Sequence, residues 1–249
     1  MRIDILTLFP KMFENVLNES MLKIARKKKK ADVKVHNLRD WTCDTRKTAD
    51  DKPYGGGSGM ILKIEPLYRA LVGLLGENRV KNRGMKKGVK KNMKIILLTP
   101  RGKKFNQEMA KKLSKLKHII FICGHYGGID ERIRSLVTDE ISIGDYIMTG
   151  GEIPAMAVLD AVTRLIPGVL GDSASLKHES FENNLLEYSR YTRPREFEGM
   201  KVPEVLLSGN HKAINAWRKK ESLKRTKEVR SDLLNEAMTY GAKRRKSYG

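Results

Sequence analysis

The chain predicts an α/β domain on a parallel sheet, followed by a smaller basic, helical segment. Three observations carry this. KIILLTP (94–100) and HIIFICG (118–124) are short, nearly continuous apolar runs bounded by turn residues, which suits strands covered on both faces. The stretch 103–115 between them reads as a helix, giving the strand–helix–strand order of an α/β unit. After Pro167 the apolar periodicity stops, and from about Leu185 it returns with helical spacing and an excess of lysine and arginine.

Taken in order, RIDILTLF (2–9) reads as the first strand. From Lys11 to about Lys27, Met12, Phe13, Val16, Leu17, Leu22 and Ile24 fall near helical spacing. DVKVHNL (32–38) reads as a second strand, and the basic stretch 77–94 as an insertion between a helix and a strand. ERIRSLV (131–137) reads as helical, DEISIGD (139–145) as extended and EIPAMAVLDAVTRLI (152–166) as a strongly apolar helix. Pro154 stands near its first turn, where a missing N–H costs nothing. GVLGDSASLKHESFENN (168–184) reads as a linker, which places a domain boundary within 168–185. Residues 211–220 and 228–240 are helix candidates around Trp217.

Composition bounds the function. With 40% apolar residues in 249 the chain can bury a substantial core. Fifty Lys and Arg against 29 Asp and Glu leave a net charge of +21, and the excess is local. Residues 23–30, 77–94, 101–117 and 218–246 carry +6, +7, +6 and +7, while 118–217 is net −5. A concentrated positive field attracts polyphosphate, so nucleic acid is the expected partner; solvated lysine-rich faces are the plainer reading of any single block. A membrane surface fits less well, because 23–30 lacks a long apolar face with aromatic anchors. Cys43 and Cys123 cannot build a disulfide framework or a four-cysteine zinc site, which suits a reducing compartment. MRIDILTLFP has no apolar signal core, and no window approaches the roughly 18 to 20 apolar residues of a membrane span, so a soluble, cytoplasmic protein is expected.

Common site motifs are absent. There is no G-x-x-x-x-G-K-[ST] loop, no G-x-S-x-G elbow and no H-E-x-x-H. In DKPYGGGSGM (51–60), Met60 stands where a dinucleotide fingerprint needs its third glycine. What remains is three glycine-rich turns after candidate strands: TPRG (99–102), CGHYGGIDER (123–132) and SIGDYIMTGGEIP (142–154). Glycine lets backbone approach a ligand closely, and loops at the carboxyl ends of α/β strands are where ligands bind. On spacing alone Gly124 could equally be a tight turn and Gly150–Gly151 a helix entry.

At these turns the sequence resembles the bacterial tRNA (guanine-N1)-methyltransferases of the TrmD family, members of the knotted SPOUT class. The shared stretches include LFPKMFENVL (8–17), LRDWTCDTRKTADDKPYGGGSGM (38–60), CGHYGGIDERI (123–133), SIGDYIMTGGEIPAM (142–156), RLIPGVLG (164–171), LLEYSRYTRPREFEGMKVPEVLLSGNH (185–211) and WRKKESLKRT (217–226). The resemblance implies methylation of guanosine 37 of tRNA with S-adenosyl-L-methionine, supporting reading-frame maintenance. It also implies an α/β domain ending in a deep trefoil knot (1–167), a flexible linker (168–185), a small helical tRNA-binding domain (186–249) and a homodimer. No DNA partner is implied. Spacing alone gives no hint of a knot, since connections almost never thread.

By similarity, the cofactor pocket is formed by Pro100, Gly124, His125, Tyr126, Gly128, Ile143, Gly144, Asp145, Tyr146, Ile147, Met148, Gly150, Gly151 and Pro154. Glu179 stands where the family has the aspartate that takes the proton from guanine, and Arg164 where it has the arginine that supports charge on the guanine oxygen. Asp50, Tyr54, Gly55, Gly59, Ser180 and His211 are the implied substrate residues. The family usually has glutamate where this chain has Gly127, a carboxylate associated with the methionine end of the cofactor and with Mg2+ dependence; no metal ligand is assigned here. Other readings are a knotted RNA methyltransferase with a ribose or ribosomal target, and a non-catalytic RNA-binding relative.

Overall fold

Apolar runs on short strands need cover on both faces, and five strands of the first of two units, Met1–Gly171, meet that need in one parallel sheet. The computed structural model describes residues 1–81, 92–171 and 179–234. The strands are β1 (Arg2–Thr7), β2 (Asp32–Asn37), β3 (Met93–Lys104), β4 (His118–Cys123) and β5 (Asp139–Ser142), in the order β2-β1-β4-β3-β5. Ile5 lies between Val35 and Phe121, and Ile120 pairs with both Asp4 and Ile95. Alternate residues therefore feed two cores. Ile3, Ile5, Phe121 and Ile96 join Val158, Leu159 and Val162 of helix α4 (Glu152–Thr163). Leu6, Ile120, Ile122 and Ile95 join Leu67 and Leu71 of helix α2 (Ile64–Leu75) on the other face. Each such side chain contributes about 1.5–3 kcal/mol when withdrawn from water. Helix α1 (Ser20–Lys27) precedes β2, and α3 (Gln107–Leu113), capped by Asn106, precedes β4.

Several expected elements differ. The helix expected from Lys11 to Lys27 breaks into a 3-10 turn (Pro10–Phe13), a short turn (Glu14–Leu17) and α1. Glu19 is extended at the break, and the Arg26 guanidinium satisfies Leu17 O and Asn18 Oδ1 there. The helix expected over 103–115 starts only at Gln107. The chain bulges away from β5 after Leu98 and rejoins it at Lys103, so strand continues where helix was expected. Gly102 permits this, because a Cβ there would stand 2.5 Å from backbone carbons of Glu140 and Ile141. Residues 131–137 hold only a 3-10 turn (Glu131–Ser135), and β5 stops at Ser142, whose hydroxyl engages Gly144 N and O.

The second unit, Asp172–Gly249, also departs from the helical expectation. From Leu185 to Pro203 the chain holds no helix and little regular structure, apart from Glu196–Phe197 paired antiparallel to Met200–Lys201. Helix α5 (His211–Val229), capped by Asn210, contains the first expected helix, 211–220, and extends beyond it; of the second, 228–240, residues 232–234 are helical and 235–240 lie outside the described residues. Residues 82–91 of the basic insertion, 172–178 of the linker and 235–249 lie outside the described residues.

Asp4 is wholly buried on β1. Arg2 Nε lies 2.7 Å from its carboxylate, His36 Nε2 2.7 Å and His118 Nε2 2.6 Å. Burial pushes its carboxyl upward, but the bonds from His118, His36 and Arg2 outweigh that and hold it well below the usual carboxylate range. A depressed native value contributes stability fully above the unfolded value of about 4, lost progressively as pH falls below it. Asp4→Asn is therefore expected to lower stability near neutrality by about 3 kcal/mol. The gap to wild type should narrow below about pH 4, as followed by urea denaturation across a pH series.

Candidate active site

The glycine-containing bulge 99–102 within β3 and the turns after β4 and β5 lie at one end of the sheet and enclose a cleft of about 370 Å3. That volume is within the range of small-ligand sites. Gly151 N–H donates to Gly124 O at 2.7 Å, and His125 and Gly150 form an antiparallel bridge, so the turns after β4 and β5 are joined backbone to backbone. A Cβ on Gly151 would stand 2.8 Å from Cys123 Cα and 2.9 Å from Gly124 N; only glycine admits this approach. A further strand pair, Asp50–Asp51 with Ile61–Leu62, flanks the earlier glycine run and is sewn to the same place. Gly127 N–H donates to Met60 O and Leu62 N–H to Gly128 O, each at 2.9 Å.

Every cofactor residue implied by the resemblance lines this cleft except Asp145, whose exposed carboxylate pairs with Lys104 at 2.6 Å. Arg164 ends α4 in the same unit. Asp50, Tyr54, Gly55 and Gly59 lie on the 50–62 hairpin and not in the cleft lining; Tyr54 is fully exposed. Gly55 and Gly59 have φ of +84° and +88° with open space around them, so conformation alone requires glycine there. Glu179, Ser180 and His211 belong to the second unit, where Ser180 Oγ accepts from Glu187 N–H and His211 opens α5.

Other residues that shape the cleft carry little sequence signal. At its wall Arg101 pairs with Glu131 at 3.4 Å, and Arg134 with Glu131 at 2.8 Å and Glu140 at 3.4 Å. These exposed pairs add little stability, but they set two cations and two carboxylates beside an apolar floor that includes Leu97 and Ile141. Their partners come from three separate segments, so no spacing announces them. Beneath the turns Glu152, the first residue of α4, is buried; Thr7 Oγ1 donates to it at 2.8 Å, and His125 Nδ1 lies 3.5 Å away. Burial first, and then the Glu152 charge, push the neighbouring Cys123 thiol far up, leaving it an inert core residue. The available signal was a lone acid between Gly-Gly and an apolar helix.

Among the described residues no group of three histidine, cysteine or acidic side chains could hold a metal ion, and no helix is long and apolar enough to cross a membrane. In the second unit α5 carries Lys212, Arg218, Lys219, Lys220, Lys224, Arg225 and Lys227. Arg218 and Arg190 lie over the Tyr188 ring, at 4.9 and 5.8 Å from its centre, and Tyr191 faces Trp217 at 6.5 Å. Guanidinium and aromatic planes together suit unpaired bases and phosphates.

The family model described as tRNA (Guanine-1)-methyltransferase TrmD matches residues 1–236. Among curated relatives, the tRNA (guanine-N(1)-)-methyltransferase of Carboxydothermus hydrogenoformans is 56% identical over 94% of this chain and 87% of its own length. That of Dictyoglomus turgidum is 54% identical over 94% and 90%. The Staphylococcus epidermidis protein of the same name is 53% identical over 95% and 91%.

Two alanine substitutions separate the roles of glycine. Gly151→Ala presses a methyl onto backbone atoms and is expected to cost about 2 kcal/mol, some ~5 °C in melting temperature. Gly55→Ala meets no neighbour and is expected to cost no more than about 1 kcal/mol of conformational strain. Scanning calorimetry of both variants checks the order.

Proposed function

Because the chain belongs to the tRNA (guanine-1)-methyltransferase TrmD family, we propose that it transfers a methyl group to N1 of guanosine 37 in tRNA, supporting reading-frame maintenance. The observation that carries this is the convergence of three glycine-rich turns on one cleft, in a chain matched by the family from residue 1 to 236. The methyl donor is S-adenosyl-L-methionine, which when bound supplies a methyl on a cationic sulfur. The cleft suits it chemically: apolar walls for a base, glycine turns whose backbone can read ring edges, and a wall of Arg101, Arg134, Glu131 and Glu140 for an amino-acid zwitterion.

With an electrophilic methyl in place, this chain's own residues have two tasks. One is to free the lone pair on N1, and the Glu179 carboxylate is proposed to accept its proton. The other is to stabilise the negative charge that grows on the guanine carbonyl oxygen, for which the Arg164 guanidinium offers a fixed, permanently charged pair of donors. The residues present do not suit magnesium. Gly127 has no side chain to offer, and the acids of the cleft wall, Glu131 and Glu140, are engaged by arginines.

We read the crossed turns after β4 and β5, with the return of β3 to β5, as the site of a deep trefoil knot; the tight approaches at Gly102 and Gly151 support this. The division of labour is proposed as cofactor binding in 1–167, a linker over 168–185 and tRNA binding in 186–249, in a cytoplasmic homodimer. The basic face of α5 supports the last role.

Transfer of labelled methyl to tRNA with guanosine at position 37, preceded by guanosine, is expected, with none when position 37 is adenosine. Methylated ribose, or no product, would overturn the reading in favour of another knotted methyltransferase or a non-catalytic binder. Glu179→Gln is expected to slow transfer by about 10^3-fold while leaving calorimetric cofactor binding unchanged. Affinity for tRNA should fall steeply between low and moderate salt, measured by filter binding.

A further inference from the structure

We infer that Glu152 is a positioning residue for cofactor binding, its buried carboxylate holding His125, and with it the turn after β4, against β1 and α4. The inference rests on the cleft being the methyl-donor site. A buried carboxylate is expensive, and replacing such a charge by an apolar side chain is often neutral or stabilising. Packing alone therefore gives little reason for a charge here, since α4 otherwise buries apolar Ala155, Val158, Leu159 and Val162 and the uncharged Thr163. The charge is instead compensated by groups that lead to the cleft. Thr7 Oγ1 donates to Oε1 at 2.8 Å, and its direction is set because the same oxygen accepts from Phe9 N–H at 2.9 Å. His125 Nδ1 lies 3.5 Å from Oε2, within ion-pair distance, and makes no hydrogen bond among the described residues. The Phe9 ring then faces the His125 imidazole at 4.5 Å, so the carboxylate and the β1 end grip the same ring from two sides. The helix N-terminus adds favourable potential. His125 itself lines the cleft and bridges Gly150. Gly150 leaves no room for drift: a Cβ there would overlap Glu152 Oε2 and stand 2.5 Å from His125 Nδ1.

The test is calorimetric binding of S-adenosyl-L-methionine to the full chain, with steady-state transfer to tRNA. Glu152→Gln and His125→Gln are each expected to raise the cofactor Kd about tenfold, with the change falling on the cofactor KM more than on kcat. Because one acts through the other, the double variant should be no worse than the worse single variant. A merely structural residue would instead lower melting temperature and active fraction without a selective loss of cofactor affinity. If Glu152→Gln does not fold, Thr7→Val, which removes the donor to Glu152 together with the acceptor of Phe9 N–H, is expected to raise Kd about threefold. Cofactor affinity within about twofold of wild type in the folded variants, or multiplied losses in the double variant, overturns the inference. Wild-type protein that binds no S-adenosyl-L-methionine overturns the functional reading instead.

Discussion

The hydrogen bond from Gly151 N–H to Gly124 O, 2.7 Å long, joins the turns after β4 and β5, and the cleft exists because that join is possible. Two backbones can lie so close only where neither carries a side chain between them. Gly151 is also the residue from which α4 starts, so the contact sets the entry of the helix whose apolar face covers one side of the sheet. Cleft and core thus share one constraint. The return of β3 to β5 past Gly102 applies the same rule to the third turn.

Charge is arranged by burial. Of the inner carboxylates, Asp4 is met by Arg2, His36 and His118 and Glu152 by the Thr7 hydroxyl, whereas the lysines and arginines of α5 face water or aromatic planes. An interior anion needs partners fixed by the fold, while a surface cation keeps its hydration until a polyanion displaces its counterions. A basic surface can therefore exchange its counterions for a polyanion without altering the partners of the buried carboxylates.

Legibility followed locality. β4 and β2 could be read nearly to the residue, because a continuous apolar run or alternating run is itself the physical cause of a buried strand. The helix at 103–115 was mistaken at its start because Lys103 and Lys104 are drawn into pairing with Ile141 and Ser142, residues nearly forty positions on. The break before Ser20 depends on Arg26 reaching back to Leu17 O, which no periodicity encodes. In the second unit, the helical reading from Leu185 missed a stretch to Pro203 that holds no helix, while the candidate at 211–220 lies inside one longer helix.

The sequence by itself determined the family, the covered parallel sheet, the glycine turns and about half of the cleft lining, since these are properties of motif and local pattern. Tertiary structure alone decided that Asp145 turns out to Lys104, that Arg101, Arg134, Glu131 and Glu140 meet at one wall, and that Thr7 and Glu152, 145 positions apart, share a buried bond. The physical reason is the same in each case. A side chain's partner across the fold is chosen by strand register and loop closure, and neither is written in the spacing of the residues that meet.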